Sequence, residues 1–107
     1  MLPLLRRWFL IHSFRDRWLQ DFYLVDKGSK KIPSEIKDRL FRKLQLIDDA
    51  TCDLDLRSPP SNHFEKLKGK LGGKHSIRVN KQWRLVFKWL GERGEARDIY
   101  LDNHDYR

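Results

Sequence analysis

Residues 75–89, HSIRVNKQWRLVFKW, decide the fold because apolar and polar side chains alternate on both sides of a short central turn. A period of two is typical of β-strands that bury one face. The segment therefore predicts a β-hairpin, and the apolar residues of its two strands must lie on the same face of the sheet to share one core. The predicted cross-strand pairs are Val79 with Leu85 and Ile77 with Phe87.

The loop of this hairpin decides on which face its cations lie. The predicted pairing requires a loop with an odd number of residues, either three or five, around residues 81–83. A two-residue turn would instead pair Val79 with Arg84 and bury a charge against the core, which is costly. An odd loop leaves Arg78, Arg84 and Lys88 together on the other face, which an antiparallel sheet can expose to water.

The neighbouring segments complete an α+β fold, in which two N-terminal helices pack on one face of an antiparallel sheet. The clearest helix is predicted at residues 33–50, where Ile36, Leu40, Leu44 and Ile47 form one apolar stripe that we interpret as core packing. The other predicted elements are a strand at residues 10–14, a helix at 15–25, a loop at 53–62, a short strand at 63–67, a glycine-rich turn at 68–74 and a last strand at 96–101.

Residues 11–107 are predicted to form a single domain, preceded by an extension at residues 1–10 whose place in the native protein is left open. The extension, MLPLLRRWFL, is shorter than the ~20 residues that cross a bilayer. Its arginines stand within the apolar run and not before it, so it lacks the order of a signal peptide. We expect a cytoplasmic protein with no membrane partner.

The charge of the chain predicts a polyanionic partner. Lys and Arg together number 23 and Asp and Glu 15, which gives a net charge of +8 and a pI near 9.9. Such an excess is typical of proteins that bind nucleic acid or an acidic protein surface. Cys52 is the single cysteine, and the four histidines lack metal-ligand spacing. We therefore expect no disulfide framework, no metal and no cofactor.

A sheet face with Arg78, Arg84 and Lys88, flanked by Lys68 and Tyr106, suits phosphate groups. Arginine presents a planar fork to two phosphate oxygens, and lysine presents a point charge. RNA carries its own nucleophile, the 2′-hydroxyl, so an enzyme needs only to align it, move its proton and stabilise the charged transition state. From the residues alone, an RNA binder, an acidic-protein binder and a nuclease all remain open.

Three stretches resemble one known family: RSPPSNHFEKLKG at residues 57–69, the hairpin at residues 75–89 and DIYLDNHDYR at residues 98–107. They are similar to the HigB toxins, which are the plasmid-maintenance killer branch of the RelE/ParE superfamily. The similarity is greatest to the GraT-like subset, which carries DLRSPP and HSIRVN-x-QWR. The resemblance covers residues 11–107. It implies an α+β toxin of a type II toxin–antitoxin system that cuts mRNA in the ribosomal A site.

The resemblance also implies the partners of the chain. A HigA-type antitoxin with a helix-turn-helix fold would hold the toxin inactive, and operator DNA would be bound only through the antitoxin complex. The toxin itself would contact mRNA and ribosomal RNA, on which its charge of +8 would dock it in a salt-dependent way. The toxin has few conventional acid–base groups. A ribosome that splays the codon would orient the mRNA and so supply much of the catalysis.

The family pattern assigns roles to residues of the site. Arg84 would stabilise the transition state, Lys68 would hold the phosphate or assist proton transfer, and Tyr106 would stack on a base or carry a proton. Some relatives have histidine where this chain has Glu65, and some end in Tyr-His where this chain ends in Tyr106-Arg107. Glu65 is therefore a candidate for the general base, His75 and His104 are further candidates, and the identity of the base stays open. The expected RNA-binding residues are Arg78, Lys88, Arg107, His75 and His104.

Two other functions compete with the nuclease. ParE-like relatives share the fold but inhibit DNA gyrase without cutting RNA, and a non-catalytic RNA-binding or protein-binding module would need no reactive groups at all. The combination of Lys68, Arg84 and Tyr106 favours the nuclease.

Overall fold

The computed structural model describes residues 11–92 and 94–103. The helices are α1 (Arg17–Val25), α2 (Lys37–Asp49) and α3 (Asp53–Arg57), and the strands are β1 (Glu65–Lys66), β2 (Lys74–Arg78), β3 (Trp83–Leu90) and β4 (Glu95–Asn103). Short 3-10 turns cover Ser34–Ile36, Pro60–Asn62 and Gly69–Leu71. The strands form one antiparallel sheet in the order β1-β2-β3-β4. The α+β fold is confirmed, and no helix within the described ranges is long and apolar enough to cross a membrane.

Helices α1 and α2 cover one face of the sheet, as predicted. The apolar stripe of α2 and the turn before it is at most 1% exposed at each of four positions, Ile36, Leu40, Leu44 and Ile47. Leu19 of α1 joins the same core, together with the inward side chains of the strands. Each such buried side chain contributes roughly 1.5–3 kcal/mol to folding. The stripe therefore holds α2 on the sheet, which confirms its interpretation as core packing.

The strand predicted at residues 10–14 is reduced, among the residues described, to two isolated parallel bridges. Ile11 and Phe14 each pair once with β4. Between the two bridges Asp98 has a left-handed backbone with φ 54°, and its N–H donates to the Ser13 hydroxyl at 2.9 Å. This kink in β4 interrupts the ladder, so no regular strand forms beside it.

The loop predicted at residues 53–62 is wrong, because α3 and a 3-10 turn order this segment. Asp53 accepts a hydrogen bond from the Trp89 indole N–H in β3 at 2.7 Å. Asn62 is fully buried, and its amide donates to two backbone carbonyls of the same segment, at 3.0 and 3.1 Å. The two prolines that rule out a central strand fit the 3-10 turn, because Pro59 directly precedes it and Pro60 is its first residue.

The hairpin register differs from the predicted one by two residues. Ile77 lies opposite Leu85, and a hydrogen bond from the Val79 N–H to the Trp83 carbonyl closes a three-residue loop. Within this loop the Asn80 carboxamide oxygen accepts two backbone N–H groups, both at 2.8 Å. The predicted pairing is therefore wrong, because Asn80 stabilises the shorter of the two odd loops.

A register shift of two residues leaves every side chain on the same face of the sheet, because side chains alternate with a period of two. The predicted assignment of faces is therefore confirmed. The apolar side chains of both strands are at most 2% exposed and lie in the core with the helices: Ile77, Val79, Leu85 and Phe87. Arg78 and Arg84 lie directly across from each other on the opposite face, and Lys88 follows on β3.

We predict that Gly94→Ala destabilises the fold by about 2 kcal/mol or more. Gly94 has φ +65°, which costs another residue about 1–2 kcal/mol, and an added Cβ would lie 2.7 Å from the Thr51 Cα. Urea denaturation measures the effect. Gly28→Ala is the control, since nothing lies within 4 Å of its added Cβ, and it should change the unfolding free energy by less than about 1 kcal/mol. Equal stability of the two variants would contradict this packing.

Candidate functional site

A row of three charged side chains crosses the sheet on the face away from the helices. Arg78 in β2 lies opposite Arg84 in β3, which lies opposite Asp102 in β4. Like charges directly across two strands repel each other. Asp102 offsets this repulsion on one side, because the Arg84 Nε–H donates to its Oδ2 at 3.0 Å. Arg78 contacts no carboxylate among the residues described.

The ion pair with Asp102 fixes the orientation of Arg84. The Arg84 side chain is 12% exposed and the Asp102 side chain 33%, so the guanidinium is largely removed from water. Asp102 occupies Nε, and no hydrogen bond joins the terminal nitrogens of the guanidinium to another described residue, so these nitrogens can donate to a further acceptor. A charge in such a poorly solvated position acts more strongly on a nearby anion than the same charge in bulk water. The arrangement suits an anion with two adjacent oxygens.

A pocket of about 30 Å³ lies beside Arg84, with room for a water molecule or a phosphate oxygen. Glu65 reaches this pocket from β1, where it lies opposite Ser76 and is exposed. Arg78 lines the pocket as well. The structure therefore brings together Arg84, Arg78 and Glu65 among the site residues that the sequence predicts.

His63 also lines this pocket, although the sequence analysis did not select it. It has a left-handed backbone with φ 46° and directly follows the 3-10 turn that ends at Asn62. A signal was present, since His63 stands two positions before Glu65 and side chains two apart along an extended chain lie on the same side. Imidazole is a common general acid or base in enzymes, so His63 joins Glu65 as a candidate for proton transfer.

Lys68 and Lys88 lie towards the other end of the sheet. Lys88 is four residues along β3 from Arg84, which corresponds to about 13 Å, and its ammonium pairs with Asp98 at 3.3 Å. Lys68 is exposed, and the residue before it donates a backbone hydrogen bond to Lys74, the strand partner of Lys88. Neither lysine lines the Arg84 pocket.

The middle of this sheet face is closed to solvent. Ser76, Val86 and Tyr100 are buried there, between the Arg84 end and the Lys88 end. The Arg15 guanidinium carbon lies 3.7 Å over the Tyr100 ring centroid, a cation–π contact that covers part of the strip. The cations of the sheet therefore form two separate groups, not the single lining that the sequence predicted.

His75 lies on the other face of the sheet. Strand alternation places it with Ile77, and its ring stacks on Phe64 with 5.1 Å between the centroids and 12° between the planes. Its Nδ1 is buried without a hydrogen-bond partner among the described residues. Burial is the main cause that lowers the pKa of His75 below its ordinary value. His75 is therefore neutral at pH 7 and separated from Arg84.

Three predicted site residues, His104, Tyr106 and Arg107, lie outside the described residues, as does the predicted extension at residues 1–10. Within residues 11–92 and 94–103, no three His, Cys, Asp or Glu side chains stand close enough together to hold a metal ion. The titratable groups that line the described part of the site are guanidinium, carboxylate and imidazole groups.

Similarity to known proteins decides the family. A family model described as the RelE-like toxin of type II toxin-antitoxin system HigB matches residues 12–104. The chain belongs to this HigB-like toxin family. Toxin HigB-1 of Vibrio cholerae serotype O1 is 53% identical over 94 residues, which are 88% of this chain and 97% of that protein. Endoribonuclease HigB of Proteus vulgaris is 30% identical over 97 residues, which are 90% of this chain and 97% of that protein.

Family membership confirms the resemblance that the three sequence stretches indicated. As a HigB-like toxin of a type II system, the chain has an antitoxin as its partner. The 53% identity spans nearly the whole of the Vibrio toxin, so the match concerns the entire domain and not an isolated segment.

We predict that His75 makes the fold less stable in mild acid. Its folded-state pKa is lowered, so the unfolded chain takes up the proton first, and stability falls as pH drops below about 6.5 until the folded pKa is passed. The test compares urea midpoints at about pH 7.5 and pH 5.5. His75→Gln should reduce the difference between the two midpoints, whereas His63→Gln, at an exposed position, should not. An unchanged difference in His75→Gln would show that His75 is not buried as described.

Proposed function

We propose that this chain is an endoribonuclease that cuts mRNA in the ribosomal A site, with the RNA 2′-hydroxyl as the nucleophile. The observation that carries the proposal is Arg84, a poorly exposed guanidinium that Asp102 holds in place beside a small pocket. Membership of a toxin family that includes the Proteus endoribonuclease supports the same conclusion. The toxin domain is proposed to comprise residues 11–107, in agreement with the match at residues 12–104.

The chemistry requires charge stabilisation more than elaborate reactive groups. The 2′-oxygen attacks the adjacent phosphorus and the 5′-oxygen leaves, so negative charge builds on the non-bridging oxygens in the transition state. Arg84 would donate its terminal N–H groups to one or two of these oxygens, and Arg78 directly opposite would add a second positive charge. Because Asp102 already orients Arg84, little reorganisation accompanies the reaction.

Proton transfer is assigned to groups near the same pocket. Glu65 would take the proton of the 2′-hydroxyl, and His63 is the alternative for that role or for protonating the leaving oxygen. Tyr106 is proposed, from the family pattern, to stack on a base or carry a proton. Lys68 and Lys88 would hold other phosphates of the RNA strand, because neither lysine lines the Arg84 pocket.

The ribosome is proposed to supply the alignment of the message. Holding reacting groups in line contributes up to about 7–11 kcal/mol in favourable cases, and a small toxin has few side chains with which to fix a flexible RNA strand. The net charge of +8 would dock the toxin on ribosomal RNA in the cytoplasm. The antitoxin is proposed to be a HigA-type helix-turn-helix protein, and operator DNA to be bound only through it.

The decisive test is primer extension on a defined message, with and without ribosomes. Wild-type protein should produce cuts only when ribosomes are present. Arg84→Ala should lower the rate by about 10²–10³-fold, as removal of a transition-state donor does in other enzymes. Arg84→Lys should also be impaired, because the fork is lost. The matched control is Arg17→Ala, which removes an exposed arginine from α1.

Three results would contradict the proposal. A folded Arg84→Ala variant that cuts as well as wild type would remove Arg84 from the site. Cutting of the message without ribosomes would refute the ribosome dependence. An intact message together with blocked DNA supercoiling by gyrase would identify the ParE-like activity instead.

A further inference from the structure

A second cationic surface lies between α2 and the tip of the β2–β3 hairpin, and we call it the helix–hairpin groove. It encloses about 600 Å³. One wall is formed by α2 positions i, i+3 and i+4, which share one side of a helix. The charged residues of the groove lining are Arg39, Arg42 and Lys43 of α2 and Arg78 and Lys81 of the hairpin, and Leu46, Ser61, Val79 and Asn80 complete the lining.

The charges in this groove are not compensated. No carboxylate lines it, and the five cations form no ion pair within residues 11–92 and 94–103. Arg39 donates to the Val79 carbonyl at 3.5 Å, and Lys43 donates to the Asn62 side-chain oxygen. Burial, followed by the nearby Arg39 and Arg42, lowers the pKa of Lys43. The fold thus holds repelling charges together, at a cost that a bound polyanion would offset.

The groove is continuous with the pocket beside Arg84. Arg78 and Asn80 line both, so the two sites meet at the hairpin tip. The centre of the sheet face offers no comparable route, because Val86 and Tyr100 are buried between the Arg84 end and the Lys88 end. A strand of phosphates leaving the pocket therefore meets consecutive cations only if it turns over the hairpin tip.

We propose that the helix–hairpin groove binds the sugar–phosphate backbone of the RNA segment next to the scissile phosphate. The inference rests on the proposed nuclease function and adds the path of the substrate to it. Lysine and arginine contacts to phosphates position a strand without reading its bases, so this part of recognition is independent of sequence. Continuity with the Arg84 pocket favours RNA over an acidic protein segment as the occupant.

The test uses the full chain and a single-stranded RNA oligonucleotide whose 2′-hydroxyls are methylated, so that it binds but cannot be cut. Affinity is measured by fluorescence anisotropy over a range of salt concentrations. The groove variant is Arg42→Gln with Lys81→Gln. The matched control, Arg17→Gln with Lys31→Gln, removes one arginine and one lysine at exposed positions that do not line the groove. Thermal unfolding verifies that both variants fold.

The groove variant should bind the oligonucleotide on the order of tenfold more weakly than the control. The slope of log affinity against log salt concentration should become shallower by about 1.4, which is about 0.7 for each lost phosphate contact. Binding and slope equal to those of the control would overturn the inference, and Arg84-dependent cutting by the same variant would show that the proposed function survives. Unchanged RNA binding with lost antitoxin binding would also overturn it and assign the groove to a protein. Reduced RNA binding in a protein that cuts no message would support an RNA surface and refute the nuclease.

Discussion

The Asn80 side chain closes a three-residue loop at the tip of the β2–β3 hairpin, and the odd loop length sends alternate residues of both strands to matching faces. Apolar residues are thereby directed into one core with the helices, and cations to the other side. An even loop would exchange the faces of one strand and bury Arg84, which the fold could not tolerate. The position of the site thus follows from the same constraint that forms the core.

The cations of the chain differ in how the fold compensates them. Lys88 has Asp98 as a partner, and Arg84 has Asp102 but keeps its terminal nitrogens available. Arg78 and the cations of the α2 wall of the helix–hairpin groove form no ion pair among the residues described. Positive charge that a fold holds together without compensation favours an external anion, and here such charge extends from Arg78, beside Arg84, into the groove. One RNA strand would compensate the pocket and the groove together.

The sequence predicts those features that depend on local pattern. Helical spacing located α2 and its buried stripe, and strand alternation placed Arg78 and Arg84 on one face. The exact register could not be predicted, because loops of three and five residues satisfy the same alternation, and only the side-chain hydrogen bonds of Asn80 select between them. His75 was expected at the site because imidazole can bind RNA or transfer protons. The alternation of the strand already placed it on the core face with Ile77, away from the site.

Long-range side-chain contacts account for the other differences. The segment 53–62 was predicted to be a loop because it contains two prolines, whereas the hydrogen bond between Asp53 and Trp89, which lie far apart in the chain, depends on tertiary structure. The buried strip at Val86, partly covered by Arg15, likewise arises from residues far apart in the chain. The sequence therefore placed Arg78, Arg84 and Lys88 on the correct face of the sheet but did not predict that they form two separate groups.

We propose that Asp102 acts through Arg84, by holding its guanidinium towards the reacting phosphate. A double-mutant cycle on the single-turnover rate of ribosome-dependent cleavage tests it, with Arg84→Ala, Asp102→Ala and the combined variant. We expect Asp102→Ala to slow cleavage by about tenfold or more when Arg84 is present, because a displaced guanidinium stabilises the transition state poorly. The same substitution should have almost no effect when Arg84 is absent. Equal losses in the two backgrounds would show that the two side chains act independently, which would contradict the claim.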